Sequence, residues 1–119
     1  MKVCKLVRSM IDQKISKNKI GVYLLGKYSK GHFEIKYVGR SDNCLRSRLK
    51  NHTSNGEHTH FSVIFTNTIF ESFRRECLEW HNRGACLCNQ IHPDAPRNIP
   101  YVCPYCNTLS NFEIIAGGC

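Results

Sequence analysis

The chain has 119 residues, which suffice for one compact core but not for two ordinary domains. Hydrophobic residues make up 41% and charged residues 22%, a globular composition that excludes wholesale disorder and a fibrous repeat. The net charge of +8 is uneven, because residues 1–50 carry 13 basic and three acidic side chains and residues 51–119 carry four and six.

The first half of the chain predicts a basic helix followed by a β-hairpin. Apolar residues recur at near-helical spacing over residues 2–17, with lysines and an arginine between them. This helix either covers a sheet or binds nucleic acid as a basic arm. Residues 21–25 and 33–39 are two short apolar runs separated by a polar stretch that contains glycine, a pattern typical of a hairpin.

The second half predicts two helices and one further strand. Ser41 to Asn43 are good N-cap types, and Leu45 and Leu49 lie four apart, so a helix is expected over about residues 44–53. Residues 61–65 are β-branched and aromatic, as in a strand. Thr68 then begins a helix with one apolar stripe that ends near residues 82–84. The expected fold is α/β (α+β), a three-stranded antiparallel sheet flanked by helices.

Two aromatic-glycine triplets lie on the two strands of the predicted hairpin. They read Gly21-Val22-Tyr23 and Tyr37-Val38-Gly39, so antiparallel pairing brings the two phenols together. Arg40 follows the second triplet directly. Arg48 and His52, four residues apart, project from one face of the next helix. A later helix supplies Glu76 and a loop supplies Asn89.

This combination of residues resembles the GIY-YIG endonuclease family, whose name records two such triplets. The resemblance covers roughly residues 20–92 and extends through Arg40, the helix from Leu45 to His52, the acidic helix from Glu71 to Glu76, and Asn89. Relative to the family pattern, the turn before the helix has an apparent extra residue near Cys44. Arg46 is therefore an alternative to Arg48 for the position of the catalytic arginine. The resemblance implies a Mg²⁺-dependent endonuclease that hydrolyses the phosphodiester bonds of DNA.

Hydrolysis of a phosphodiester by this family's mechanism assigns a role to each of these residues. Tyr23 takes the proton from water, with Tyr37 or His52 polarising it. A phenol near its usual pKa of about 10 needs a cationic neighbour to serve as base, and Arg40 and Arg48 are close enough in sequence to supply one. Arg48 stabilises charge on the phosphoryl group. Glu76 binds Mg²⁺, or Mn²⁺ in its place. Asn89 fixes the loop or the active-site water.

Each site residue also has an ordinary structural interpretation. Tyr23 could be a core ring, Arg48 a solvated helix residue and Glu76 a surface carboxylate paired with an arginine. The occurrence of all these residues together, in the order of the family's motifs, favours a nuclease. The alternative function is that of a non-catalytic nucleic-acid-binding zinc module on the same scaffold.

The cysteines predict a structural zinc site. Cys103 and Cys106 form a Cys-x-x-Cys pair, which directs two thiolates at one tetrahedral ion. Cys77 and His81, four apart on the acidic helix, are the preferred partners; Cys88 and His92 offer the same spacing, and Cys86 is a further candidate. Cys77 also falls on the apolar stripe, where a buried thiol is ordinary, and Cys-x-x-Cys is a redox motif in some folds.

The expected setting is intracellular, in the cytoplasm or on the nucleoid, rather than secreted. No run of 18 apolar residues is present, and the chain starts with lysines rather than a hydrophobic signal region. A secreted scaffold of four disulfides is the disfavoured alternative for the eight cysteines.

The chain is expected to be one domain, residues 1–119. It comprises a basic N-terminal helix over 1–19, the nuclease-like core over 20–92 and a cysteine-rich extension over 93–119. DNA is the expected partner, with no membrane. Specificity would come from loops such as 26–33 and 53–60, the N-terminal helix, a homodimer or a partner protein.

Overall fold

A computed structural model describes residues 2–90 and 92–106 of the chain. These residues form a mixed α+β domain with a four-stranded antiparallel sheet and three α-helices. In chain order the elements are β1 (Cys4–Lys5), α1 (Arg8–Lys14), β2 (Gly21–Ser29), β3 (His32–Ser41), α2 (Leu45–Asn51), β4 (His60–Phe65), α3 (Ile69–Arg83) and a 3₁₀ turn (Gly84–Cys86). Residues 107–119 of the predicted extension, including Cys119, lie outside the described residues.

The sheet has the order β1-β4-β2-β3, so the prediction of three strands was wrong by one. The extra strand is Cys4–Lys5, which pairs antiparallel with Phe61 and His60 of β4. The predicted helix over residues 2–17 is correspondingly shorter and begins at Arg8. Two residues are too few for a period-2 pattern, and their partners lie more than 50 positions away, so local spacing indicated helix throughout.

The hairpin of β2 and β3 confirms the predicted placement of the triplets. Tyr23 lies opposite Gly39, and Val22 opposite Arg40. The glycine at position 39 is required, because a Cβ atom there would overlap the ring of Tyr23. The tight turn between the strands places Lys30 and Gly31 at positive φ.

The two faces of the sheet are covered by different helices. Alternate residues of β2 point to opposite faces. Tyr23 and Leu25 pack with α1 and α2, while Val22 and Leu24 pack with Leu87 and with Trp80 of α3. Strand β3 is an edge strand of the sheet, and its Tyr37 and Val38 belong to opposite cores.

The helix boundaries agree with the cap residues. Thr68 caps α3 as predicted, because its side chain accepts a hydrogen bond from the Glu71 amide at 3.1 Å. The helix ends at Arg83 before Gly84, whose φ of 50° stops it. The side chains of Ser41 and Asn43 both accept a hydrogen bond from the Cys44 amide at the start of α2.

No helix among residues 2–90 and 92–106 is long and apolar enough to span a membrane. Six cysteines in this part of the chain carry free thiols, which disagrees with a framework of four disulfides. They are Cys4, Cys44, Cys77, Cys88, Cys103 and Cys106.

Candidate active site and metal site

A cavity of about 840 Å³ lies beside the edge strand β3, between α2, α3 and the segment that follows the 3₁₀ turn. It contains most of the residues that the sequence singled out. Its lining includes Tyr23, Tyr37, Arg40, Arg48, Glu76 and Asn89. The alternative arginine, Arg46, instead donates a hydrogen bond from Nε to Asp12 at 2.8 Å and does not line the cavity.

Tyr23 and His52 are in direct contact. The Tyr23 hydroxyl lies 3.0 Å from Nε2 of His52. Tyr37 stacks on Tyr23, with ring centroids 6.1 Å apart and planes inclined by 12°, and its ring lies 5.1 Å from that of His52. The three rings therefore form one cluster, with His52 beside both phenols.

Protonation of this cluster is governed by burial. Burial, and next the neighbouring Tyr37, raise the pKa of Tyr23 above its ordinary value, and the charge of Arg48 opposes this without overcoming it. Burial, with Arg48, lowers the pKa of His52. Arg48 is therefore a cationic neighbour of the kind expected beside the phenol, but burial outweighs its effect on the pKa of Tyr23. At neutral pH Tyr23 keeps its proton and His52 is a neutral imidazole.

Arg40 joins the edge strand to two carboxylates. Its Nη1 atom donates to Oε1 of Glu76 at 2.8 Å, and its Nε atom donates to Oδ1 of Asp42 at 2.8 Å. The guanidinium also lies 5.3 Å from the centroid of the Phe73 ring, which supports it from the side of α3. Glu76 is 9% exposed, and burial raises its pKa to about 7 although Arg40 opposes the shift.

Arg48 differs from Arg40 in its ion pairs. It is exposed on α2, and within the described part of the chain no carboxylate forms an ion pair with it. A guanidinium that is not neutralised and lies on a cavity wall can bind an anionic oxygen.

Asn89 is held against the backbone of the edge strand. Its side-chain oxygen accepts from the Val38 amide at 3.3 Å, and its Nδ2 donates to the Val38 carbonyl at 2.8 Å. The Cys88 amide donates to the Lys36 carbonyl at 2.6 Å. Asn89 was expected to fix either the loop or the active-site water, and this geometry fits the first of these roles.

A second group of side chains adjoins the cavity through His92, which lines it. Ligand atoms of His81, His92, Cys103 and Cys106 all lie within 4.8 Å of one another, so the group could bind a metal ion such as zinc. Nε2 of His81 lies 3.3 Å from Nε2 of His92 and 3.4 Å from Sγ of Cys103. Sγ of Cys106 lies 3.5 Å from Nε2 of His81 and 3.2 Å from that of His92.

The composition of this group differs from the preferred ligand set. Cys77 lies outside it and packs with Phe73 in a small core, where burial is the main cause that raises its pKa. The group contains His92 instead of Cys77. Neither Cys86 nor Cys88 belongs to it. The spacing of Cys77 and His81 on one helix was compatible with a shared ion, but the loop that brings His92 back to α3 is irregular and leaves no periodic signal.

Two residues near the site, Asp42 and His58, were not among the predicted site residues, although His58 and His60 beside the third strand were considered as possible phosphate contacts. Asp42 was interpreted as a cap residue, although its position two after Arg40 at the end of a strand places both on one face. His58 is buried, with its ring 6.0 Å from that of Tyr37. It was expected to be an exposed loop histidine, and no spacing indicated its burial against Tyr37.

No protein-family model, no curated protein and no solved structure matches this chain.

Proposed function

We propose that this protein is a metal-dependent endonuclease that hydrolyses phosphodiester bonds of DNA by a GIY-YIG-type mechanism. The observation that carries the proposal is the meeting of two phenols, the Arg48 guanidinium and a buried carboxylate in one cavity. These groups come from β2, β3, α2 and α3, and they are the groups on which the resemblance of the sequence depends. The concentration of basic residues in positions 1–50 favours a polyanionic substrate.

The contact between Tyr23 and His52 provides a route for the proton of the attacking water. Burial keeps the Tyr23 hydroxyl protonated. This hydroxyl therefore passes its own proton to the neutral imidazole of His52 as it accepts one from water. The lowered pKa of His52 keeps its lone pair available at neutral pH. Tyr37 packs on both rings and holds their orientation.

Arg48 and Arg40 act on the phosphate and on the carboxylate respectively. Arg48 approaches the scissile phosphate and stabilises the negative charge that grows on its oxygens as the water attacks. Arg40, held by Asp42, fixes the Glu76 carboxylate at the cavity wall.

Glu76 is the residue that would hold a divalent cation in this site. Its carboxylate faces the cavity, and oxygen donors of this kind suit Mg²⁺ or Mn²⁺. When bound, the cation supplies positive charge beside the scissile phosphate and the departing 3′ oxygen.

Nicking of supercoiled plasmid tests the proposal directly. We expect relaxed circles in Mg²⁺ or Mn²⁺ and none in excess chelator, read on an agarose gel over time. A protein that shifts the mobility of the plasmid but never cuts it would be the non-catalytic binding module, and the endonuclease proposal would then fail.

The Mg²⁺ requirement should depend on pH. The pKa of Glu76 is raised to about 7, so the carboxylate is largely protonated at pH 6 and largely ionised at pH 8. Protons compete with the cation for its oxygens, and the Mg²⁺ concentration for half-maximal cleavage should fall about tenfold between these pH values. A titration of Mg²⁺ at each pH measures this. An equal requirement at both would show that Glu76 does not bind the cation.

We also propose that the group of two histidines and two cysteines binds one structural Zn²⁺. Zn–N bonds of about 2.0–2.1 Å and Zn–S bonds of about 2.3 Å at tetrahedral angles separate the donors by about 3.3–3.8 Å. Four of the N–N and N–S distances between the donor atoms of these residues run from 3.2 to 3.5 Å. Nδ1 of His92 lies 2.8 Å from the Pro93 carbonyl and donates to it, which leaves the Nε2 lone pair for the metal.

Elemental analysis of protein purified without chelator should find one zinc ion per chain. Cys103→Ser should lose that zinc, because it removes one of the four donors. Cys77→Ser should retain it, since Cys77 lies outside the group. Zinc that persists in the first variant but disappears in the second would favour the ligand set with Cys77 and overturn the one with His92.

A further inference from the structure

His92 belongs both to the metal group and to the wall of the cavity. Its Nε2 atom faces His81 and Cys106, while the residue lines the cavity together with Pro93 and Asp94. We propose that a zinc ion in this group holds the cavity wall formed by residues 88–90 and 92–94 against α3, so that DNA binding requires the ion. The DNA-binding part rests on the proposed function; the holding of the wall does not.

The two ends of this wall are held in different ways. Its start is bonded to the edge strand β3 through the amide of Cys88 and the side chain of Asn89. Farther along, among residue 90 and residues 92–94, the structure gives no backbone–backbone hydrogen bond to a strand or helix. The His92 ring is therefore the main polar attachment of the far end of the wall to α3, through His81.

Trp80 connects the metal group to the start of the wall. Its ring centroid lies 5.2 Å from that of His81 and 5.2 Å from that of His92. Its Nε1 atom donates to the Asn89 carbonyl at 3.0 Å. An ion that fixes the two imidazoles also fixes the indole that packs against both of them, and the indole fixes Asn89, the residue that bonds to Val38.

Loss of the ion should release the wall in a defined order. Without the metal, four donor atoms within 4.8 Å of one another lose their shared partner, and His92 is no longer held at α3. The wall then moves away from the cavity at its far end, and the bonds of Asn89 and Cys88 to β3 weaken next. Arg48 and Glu76 lie on α2 and α3 and keep their positions. The main effect falls on substrate binding, not on the chemistry of substrate that is bound.

The test compares His92→Ala and Cys106→Ser with His92→Cys, which keeps a zinc-binding donor. Cys4→Ser is the matched control, since Cys4 is a free thiol on β1. Zinc content, hydrogen exchange of the Cys88 amide and emission of Trp80, the single tryptophan, are measured for each protein. Binding to a duplex oligonucleotide is measured with Ca²⁺ in place of Mg²⁺.

We expect His92→Ala and Cys106→Ser to lose zinc, to exchange the Cys88 amide at least about tenfold faster and to bind the duplex at least about tenfold more weakly. In the wild type, chelator should change the Trp80 emission, and added Zn²⁺ should restore it. His92→Cys and Cys4→Ser should keep zinc, slow exchange and duplex binding. Loss of zinc with unchanged exchange of the Cys88 amide would overturn the proposal.

Unfolding of the variants and a lack of DNA binding in the wild type would each be interpreted separately. If both zinc-free variants unfold, chelation of the wild type decides: faster exchange confined to the cavity wall supports the proposal, and faster exchange throughout the sheet overturns it. If zinc protects the wall but the wild type neither binds nor cuts DNA, the proposed function fails while the structural part of this inference stands.

Discussion

Replacement of Glu76 by glutamine is expected to reduce Mg²⁺-dependent cleavage at least about 100-fold, because charge stabilisation by a bound metal contributes several kcal/mol to a phosphoryl-transfer barrier. The amide oxygen of glutamine can still accept the hydrogen bond from Arg40, so the fold should be retained. Initial rates of plasmid nicking at saturating Mg²⁺ measure the loss. The affinity for an uncut duplex in Ca²⁺ should change much less than the rate.

Glu71→Gln provides the matched control for this variant. Glu71 lies on the same helix, is exposed and does not line the cavity. Its side chain accepts from the Asn67 amide, a contact that glutamine can also make. Its cleavage rate should equal that of the wild type. Equal rates for both variants would remove Glu76 from the mechanism.

Tyr23→Phe should reduce cleavage by about 100- to 10,000-fold, the range expected when a positioned proton-transfer group is lost. The substitution removes the hydroxyl that lies 3.0 Å from His52 and leaves the buried ring in place. The free energy of unfolding, measured in urea, should fall by no more than about 1–2 kcal/mol, since one partly buried hydrogen bond is lost. Single-turnover rates on a duplex substrate separate the chemical step from binding.

Two comparisons make the result for Tyr23 specific. Tyr28→Phe, on the same strand but 44% exposed and outside the cavity, should cleave at the wild-type rate. His52→Ala should lose nearly as much activity as Tyr23→Phe, and the double variant should lose little more, because the two residues form one proton route. Additive losses would mean that the phenol and the imidazole act independently.

Local patterns predicted most of the regular structure because the interactions responsible are close in sequence. The hairpin, the Thr68 cap and the Gly84 stop each depend on residues within a few positions of one another. The strand Cys4–Lys5 was missed because it exists only through pairing with β4. Its two residues carry no periodic signal of their own.

The same division holds for the metal group. The Cys-x-x-Cys pair and His81 were predicted because short spacing constrains where their side chains point. Short spacing could not decide whether Cys77 or His92 is the fourth ligand, because that depends on whether an irregular loop returns to α3. In the structure it does, and Cys77 packs against Phe73 instead.

The sequence by itself determined which chemical groups are present: paired aromatic-glycine triplets, an arginine and a histidine four apart on a helix, a later acid, and a Cys-x-x-Cys. Only the tertiary structure decided their protonation and their partners. Burial keeps Tyr23 protonated beside a neutral His52, and it raises the pKa of Glu76 to about 7 in spite of Arg40. The physical reason is that desolvation and contact depend on neighbours far apart along the chain, and these are known only once the strands and helices have packed.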